Sequence, residues 1–236
     1  MSLAIVVPDV DFSAASIASK FPFSADIRGY WLFGTDALAS QENLVTGEAD
    51  SFTGSPTFTS NSANLGAPAG LATGIQFDGP YTMVYVGTLP IVAGQVAALM
   101  GFYPTAGGTG IEAIFNYDAS IRHTNAGSTS GTLSRTLASD GTMSGVRAVI
   151  ATFDLETCAL HVKDGNNLLS VTFPRAGSNI QPYPMLVGGR TSDTLTAGFD
   201  ANAAMVFDRA LTLSEIEGEI LPYLISAMAN RGVTLA

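Results

Sequence analysis

Side chains able to do covalent chemistry are few and scattered in this chain of 236 residues. His123 and His161 are the only histidines, so a nucleophilic triad needs one of them beside both a serine and an acid. Asp164 follows His161 closely, but no nucleophile elbow occurs anywhere, and both histidines read as solvent-facing strand residues. The glycine-bearing runs GTDALAS (34–40) and AGGTGIEA (106–113) lack the Gly-Lys-Ser/Thr ending of a phosphate loop and read as turns. No catalytic residue is assigned. Acids at Asp78, Asp118, Asp193 and Asp200 could offer loop oxygens to calcium, yet single dispersed acids are ordinary turn residues, so no metal or other cofactor is expected.

One constellation fits recognition rather than reaction. A sugar presents an apolar face ringed by hydroxyls, so its site needs an aromatic platform with planar polar groups beside it. Asn116, Tyr117, Arg122, His123 and Arg190 supply that chemistry from neighbouring strands and loops. The competing reading makes Tyr117 a core residue and the other four merely solvated.

The elements that must hold these residues are strands. Residues 142–173 read as an antiparallel meander: an apolar run at 147–153, alternation at 158–163 and again at 167–173, with Asp164-Gly165 supplying the tight turn. Alternation turns Cys158, Leu160 and Val162 to a core face and Ala159, His161 and Lys163 to a wetter one. Further strands are expected at 28–33, 72–78, 81–89, 95–103, 111–117, 121–124, 184–188 and 203–207. A long polar region runs through 64, and 125–134 is a Gly, Ser and Thr loop. Trp31, the single tryptophan, is a core anchor or a binding-face aromatic.

The two ends differ from the middle. Residues 1–27 form an arm in which Ser13 could cap a short helix through Ile17; it packs on the domain or a neighbour, or else is a loose tether. At the other end Thr212 and Glu215 have capping-box spacing, and Ile216, Ile220, Leu224 and Met228 recur every four residues as one apolar stripe. Pro222 is expected to divide this tail, 211–236, into two short helices that stop at Gly232.

Composition agrees with many short strands. Hydrophobic residues make up 47% and charged residues 13%, with 25 glycines, which suits an all-β domain turned by glycine better than a charged bundle. A formal charge of -10 repels a phosphate backbone, so nucleic acid is not an expected partner. One cysteine, Cys158, cannot form an intrachain disulfide and is expected in the core. No run has the form of a signal peptide or approaches the ~20 apolar residues of a membrane helix, so a soluble protein made in a cytoplasm and not exported by the usual route, without membrane insertion, is expected.

Five stretches, taken in order, carry a family resemblance: RGYWLF at Arg28, LATGIQFDG at Leu71, TMSGVRAVIATFDLETCALHVKDG at Thr142, PMLVGG at Pro184 and FDANAAMVFDRALTLSEI at Phe199. Together they resemble the laminin-G-like domains of the concanavalin-A-like lectin and glucanase superfamily. The resemblance implies an antiparallel jelly-roll β-sandwich over 28–210, with a short helix near its end. Val146-Arg147 stands where that family has Trp-His, Ala204 falls near its usual acid, and the glucanase strand Glu-x-Asp-x-x-Glu is absent, which leaves no acid and nucleophile for glycoside hydrolysis. The opening VVPDVDFSAASIAS resembles those of bacteriophage tail and fibre proteins that carry lectin-like modules. The expectation is a non-catalytic virion protein, self-associating, held to other virion proteins and to cell-surface glycan. The alternatives are a free-standing carbohydrate-binding lectin and a glucanase-type hydrolase.

Overall fold

The computed structural model describes residues 26–66, 68–77, 79–89, 96–102, 113–117, 120–124, 145–175, 183–189 and 197–236. Within them the chain is an antiparallel β-sandwich with helix at its C-terminal end. One sheet has eight strands. β1 (Ile27–Leu32), β3 (Thr57–Phe58), β4 (Ala63–Leu65), β6 (Tyr81–Thr88), β10 (Val146–Phe153), β11 (Thr157–Asp164), β12 (Asn167–Pro174) and β14 (Phe199–Phe207) run in the order β12-β11-β10-β6-β14-β4-β3, with β1 also on β14. The second sheet is β2 (Ser51–Thr53), β5 (Gly70–Ala72), β7 (Val96–Phe102), β8 (Ala113–Tyr117), β9 (Ser120–Thr124) and β13 (Met185–Gly188), ordered β2-β5-β13-β7-β8-β9.

The middle of the larger sheet is buried on both faces. Met83 and Tyr85 of β6, Val149 and Ala151 of β10, and Ala204 and Val206 of β14 fill the space between the sheets with Trp31, Leu99, Met100 and Val187. Their neighbours Val84, Val86, Ala148, Ile150, Ala203 and Met205 point the other way, onto the C-terminal helix. A strand with two dry faces has no polar positions to alternate, which is why VRAVIATF reads as an apolar run.

That second layer corrects the expected wetter face of β11. Cys158, Leu160 and Val162 do face the other sheet, but His161 on the opposite face is itself buried, only 5% exposed. The helical tail is also more continuous than expected. Thr212 caps α2 (Leu213–Glu215), its hydroxyl accepting from Glu215 N–H while the Glu215 carboxylate accepts from Thr212 N–H. A π-turn (Ile216–Ile220) then leads directly into α3 (Leu221–Ala229). Pro222 does not split the tail: it sits in the first turn of α3, where its missing N–H costs least, and the wider turn before it absorbs the ring. Ile216, Ile220, Leu224 and Met228 are all buried against the sheet. Gly232, at φ +74, ends the run, and Arg231 reaches back to donate to the carbonyls of Asn202 and Phe33.

The polar region after β1 is more structured than its composition suggests. It holds α1 (Ala37–Gln41), capped by Asp36, and the short strands β2, β3 and β4. The strand expected over 72–78 is instead β5, ending at Ala72 and followed by irregular chain. The β11–β12 turn lies one residue later than expected: Asp164 pairs with Asn167, and Gly165 takes φ +57 as first of the two turn residues. Residues 1–25 of the arm and the loop 125–134 lie outside the described residues.

Candidate functional site

The hairpin of β8 and β9 carries four of the five residues expected to meet a sugar. Asn116 and Tyr117 lie near the end of β8, and Arg122 and His123 lie on β9, with Asn116 opposite Ile121, Tyr117 opposite Ser120 and Phe115 opposite Arg122. Among the described residues β9 is the outer strand of its sheet, which places this hairpin at the end of the strand order. Arg190 lies outside the described residues, as do Asp78, Asp118 and Asp193. Asp200 is described, and its carboxylate accepts from the Asn64 amide at 3.0 Å. Among the described residues no three His, Cys, Asp or Glu side chains gather as a metal site.

His161 is held by Ser170 on the neighbouring strand, Nδ1 lying 2.8 Å from the hydroxyl oxygen. Burial pushes its pKa down to about 4, so the ring is neutral at ordinary pH. Asp164 does not complete a triad with this pair, because its carboxylate is engaged by the buried Arg147 guanidinium on β10. The serine and histidine therefore make a strand-to-strand tie.

A third cluster stands where β1 begins and β14 ends. Arg28 contacts Asp208, Nε at 2.6 Å and Nη2 at 2.5 Å, both on Oδ2. Next to it Arg209 bridges Asp26 at 2.6 Å and Glu215 at 2.8 Å, tying the first strand to the helix cap. The Arg209 bond, then the Thr212 N–H, holds the Glu215 carboxyl down at about 2.

Beside Arg28 and Asp208 opens a cleft of about 440 Å³, walled by Ile75, Gln76, Phe77 and Pro80. Its aromatic wall is the end of a stack. Phe153 and Tyr81 lie 4.3 Å apart at 16°, Tyr81 and Phe77 5.3 Å apart at 5°, and Phe102 meets both Tyr81 and Phe77 edge-on. Tyr81 and Phe153 are fully buried, whereas Phe77 is half-buried. Behind the cleft, Asp50 accepts from Trp31 Nε1 at 2.8 Å and from Gly74 N–H at 3.3 Å. Desolvation raises the Asp50 pKa against both bonds, and Trp31 is a core residue with a polar handle.

No family model and no curated protein matches the chain. Solved structures do match it. The binding domain of Paraclostridial Mosquitocidal Protein 1 superposes with a TM-score of 0.62 at 11% identity, over 84% of this chain and 52% of that one. The receptor binding domain of botulinum neurotoxin C/D mosaic serotype gives 0.58 at 11%, over 83% and 52%. A sialidase of Trypanosoma rangeli gives 0.56 at 13%, over 82% and 32%. The likeness is one of fold. This chain spans about a third of the sialidase and about half of each toxin domain, and the β-sandwich is what the four share.

The Arg28–Asp208 cleft escaped the sequence because its walls come from three distant stretches. Two signals bore on it. Arg28 and Asp208 stand at the outer ends of RGYWLF and of the strand run FDANAAMVF, and an antiparallel pairing of those runs sets Ile27 opposite Phe207.

Proposed function

We propose that this protein is a non-catalytic, lectin-like β-sandwich that serves as a structural component of a bacteriophage virion, in its tail, fibre or capsid decoration. It associates with copies of itself and with other virion proteins, and its β8–β9 edge attaches to host-surface glycan. One observation carries the reading. The middle of the larger sheet is covered on both faces, by the other sheet and by the C-terminal helix, so rims and strand edges are left to make contacts, and among the described residues β8–β9 ends its sheet with four candidate residues on paired strands. The laminin-G-like resemblance supports it: its five stretches fall in order on β1, β5 and the chain after it, β10–β11, β13, and β14 with the helix cap.

Two measurements test this. Light scattering should find an oligomer for the full chain and a monomer once residues 1–25 are deleted; an unchanged oligomer removes the arm from assembly. A glycan array should show binding that Tyr117→Ala weakens by about tenfold, the effect of losing roughly 1.4 kcal/mol of contact. Release of reducing sugar from a polysaccharide panel would overturn the non-catalytic reading.

A further inference from the structure

We propose that the cleft between the start of β1, residues 74–77, Gly79 and Pro80, and the end of β14 is a second binding site, for a neutral saccharide unit. It shares only the ligand class with the reading above; the residues are different and stand away from β8 and β9 in the sequence. At about 440 Å³ the cleft lies within the range of small-molecule sites.

The platform is Phe77. Most half-exposed rings are free to rotate away, but this one is stacked on Tyr81 along its inner side and met at its edge by Phe102, both packed in the core. Its orientation is therefore fixed before any ligand arrives, and docking an apolar sugar face costs little ordering. Beside the platform stand planar polar groups suited to a ring of hydroxyls. Arg28 uses Nε and Nη2 on a single oxygen of Asp208, so Nη1 and Oδ1 take no part in that pair and face the same cleft.

Two glycines sharpen the case. A Cβ built on Gly74 or on Gly79 meets nothing within 4 Å. Both residues line the cleft, so the protein leaves room beside it for a larger side chain at either position. Charge selects the ligand. The arginine is matched by its carboxylate, and the whole chain carries -10, so an acidic sugar finds no surplus positive charge. A neutral hexose or N-acetylhexosamine fits; sialic acid does not.

The same glycines provide the test. Saturation-transfer NMR on the full chain would use methyl glycosides of glucose, galactose, mannose and N-acetylglucosamine, with N-acetylneuraminic acid as the acidic probe. At least one neutral glycoside should show transfer, and the acidic probe none. Gly79→Trp, which places a ring where the protein leaves open space, should abolish that transfer while keeping the wild-type melting temperature, and Phe77→Leu, which removes the platform, should weaken it severalfold. Transfer that survives both substitutions overturns the cleft. If Tyr117→Ala then abolishes it, the hairpin reading stands alone. No transfer from any neutral glycoside, or transfer from the acidic probe only, also overturns the proposal.

Discussion

At Gly29 the requirement is space. A Cβ there would lie 2.1 Å from the ring of fully buried Trp31 and 2.8 Å from the terminal methyl of Ile75. Gly29→Ala should cost about 2 kcal/mol through overpacking, read as a lower urea midpoint with an unchanged slope. His161 makes the second residue-level prediction. Its folded pKa is about 4 against about 6.5 when unfolded, so between those values the unfolded chain binds more protons and stability falls as pH falls. About 2 kcal/mol should be lost to this group between pH 7 and pH 5, and chemical denaturation of His161→Gln should show that much less dependence on pH. Neither effect was legible in the sequence. RGYW gives no sign that the glycine faces an indole, and HVKD alternates as a half-exposed strand would, since the layer that buries His161 lies some sixty residues on.

Elements with long period signals were legible, and those held by single side chains were not. The strands β6, β10, β11 and β12 and the stripe from Ile216 to Met228 follow from spacing alone. α1 and β2 to β4 do not, because they are short and held in place by local bonds. The Asp36 carboxylate accepts from Ala39 N–H, and the Ser40 hydroxyl both accepts from Gly34 N–H and donates to its carbonyl. Thr35, exposed at φ 62, is the only non-glycine with positive φ among the described residues, a strain no propensity would select. The helix cap is an element whose worth can be measured. Thr212→Ala removes the acceptor for Glu215 N–H and should destabilise by about 1 kcal/mol in thermal or urea unfolding.

For the whole molecule, the C-terminal helix is part of the core. Removing residues 211–236 would uncover Val84, Val86, Ala148, Ile150, Ala203 and Met205 on one continuous face. Patches of that kind drive association. The truncated chain should aggregate or bind a hydrophobic dye on expression, whereas a monomeric, dye-silent product would show that the sheet tolerates an open face. The site is less legible than the fold at this scale for the same reason. The Arg28–Asp208 cleft depends on pairing of β1 with the distant β14, whereas β8–β9 is one hairpin whose residues are close enough in the chain to be read together.

Trp31 is the chain's single indole, and its Nε1 donates to a carboxylate that also accepts from Gly74, a residue of the cleft wall. Intrinsic emission excited at the red edge thus comes from one fluorophore wired, through Asp50, to that wall. A molecule settling against Gly74 shifts the field on the indole without touching it, so occupancy is visible in the unlabelled protein as a change of colour or intensity.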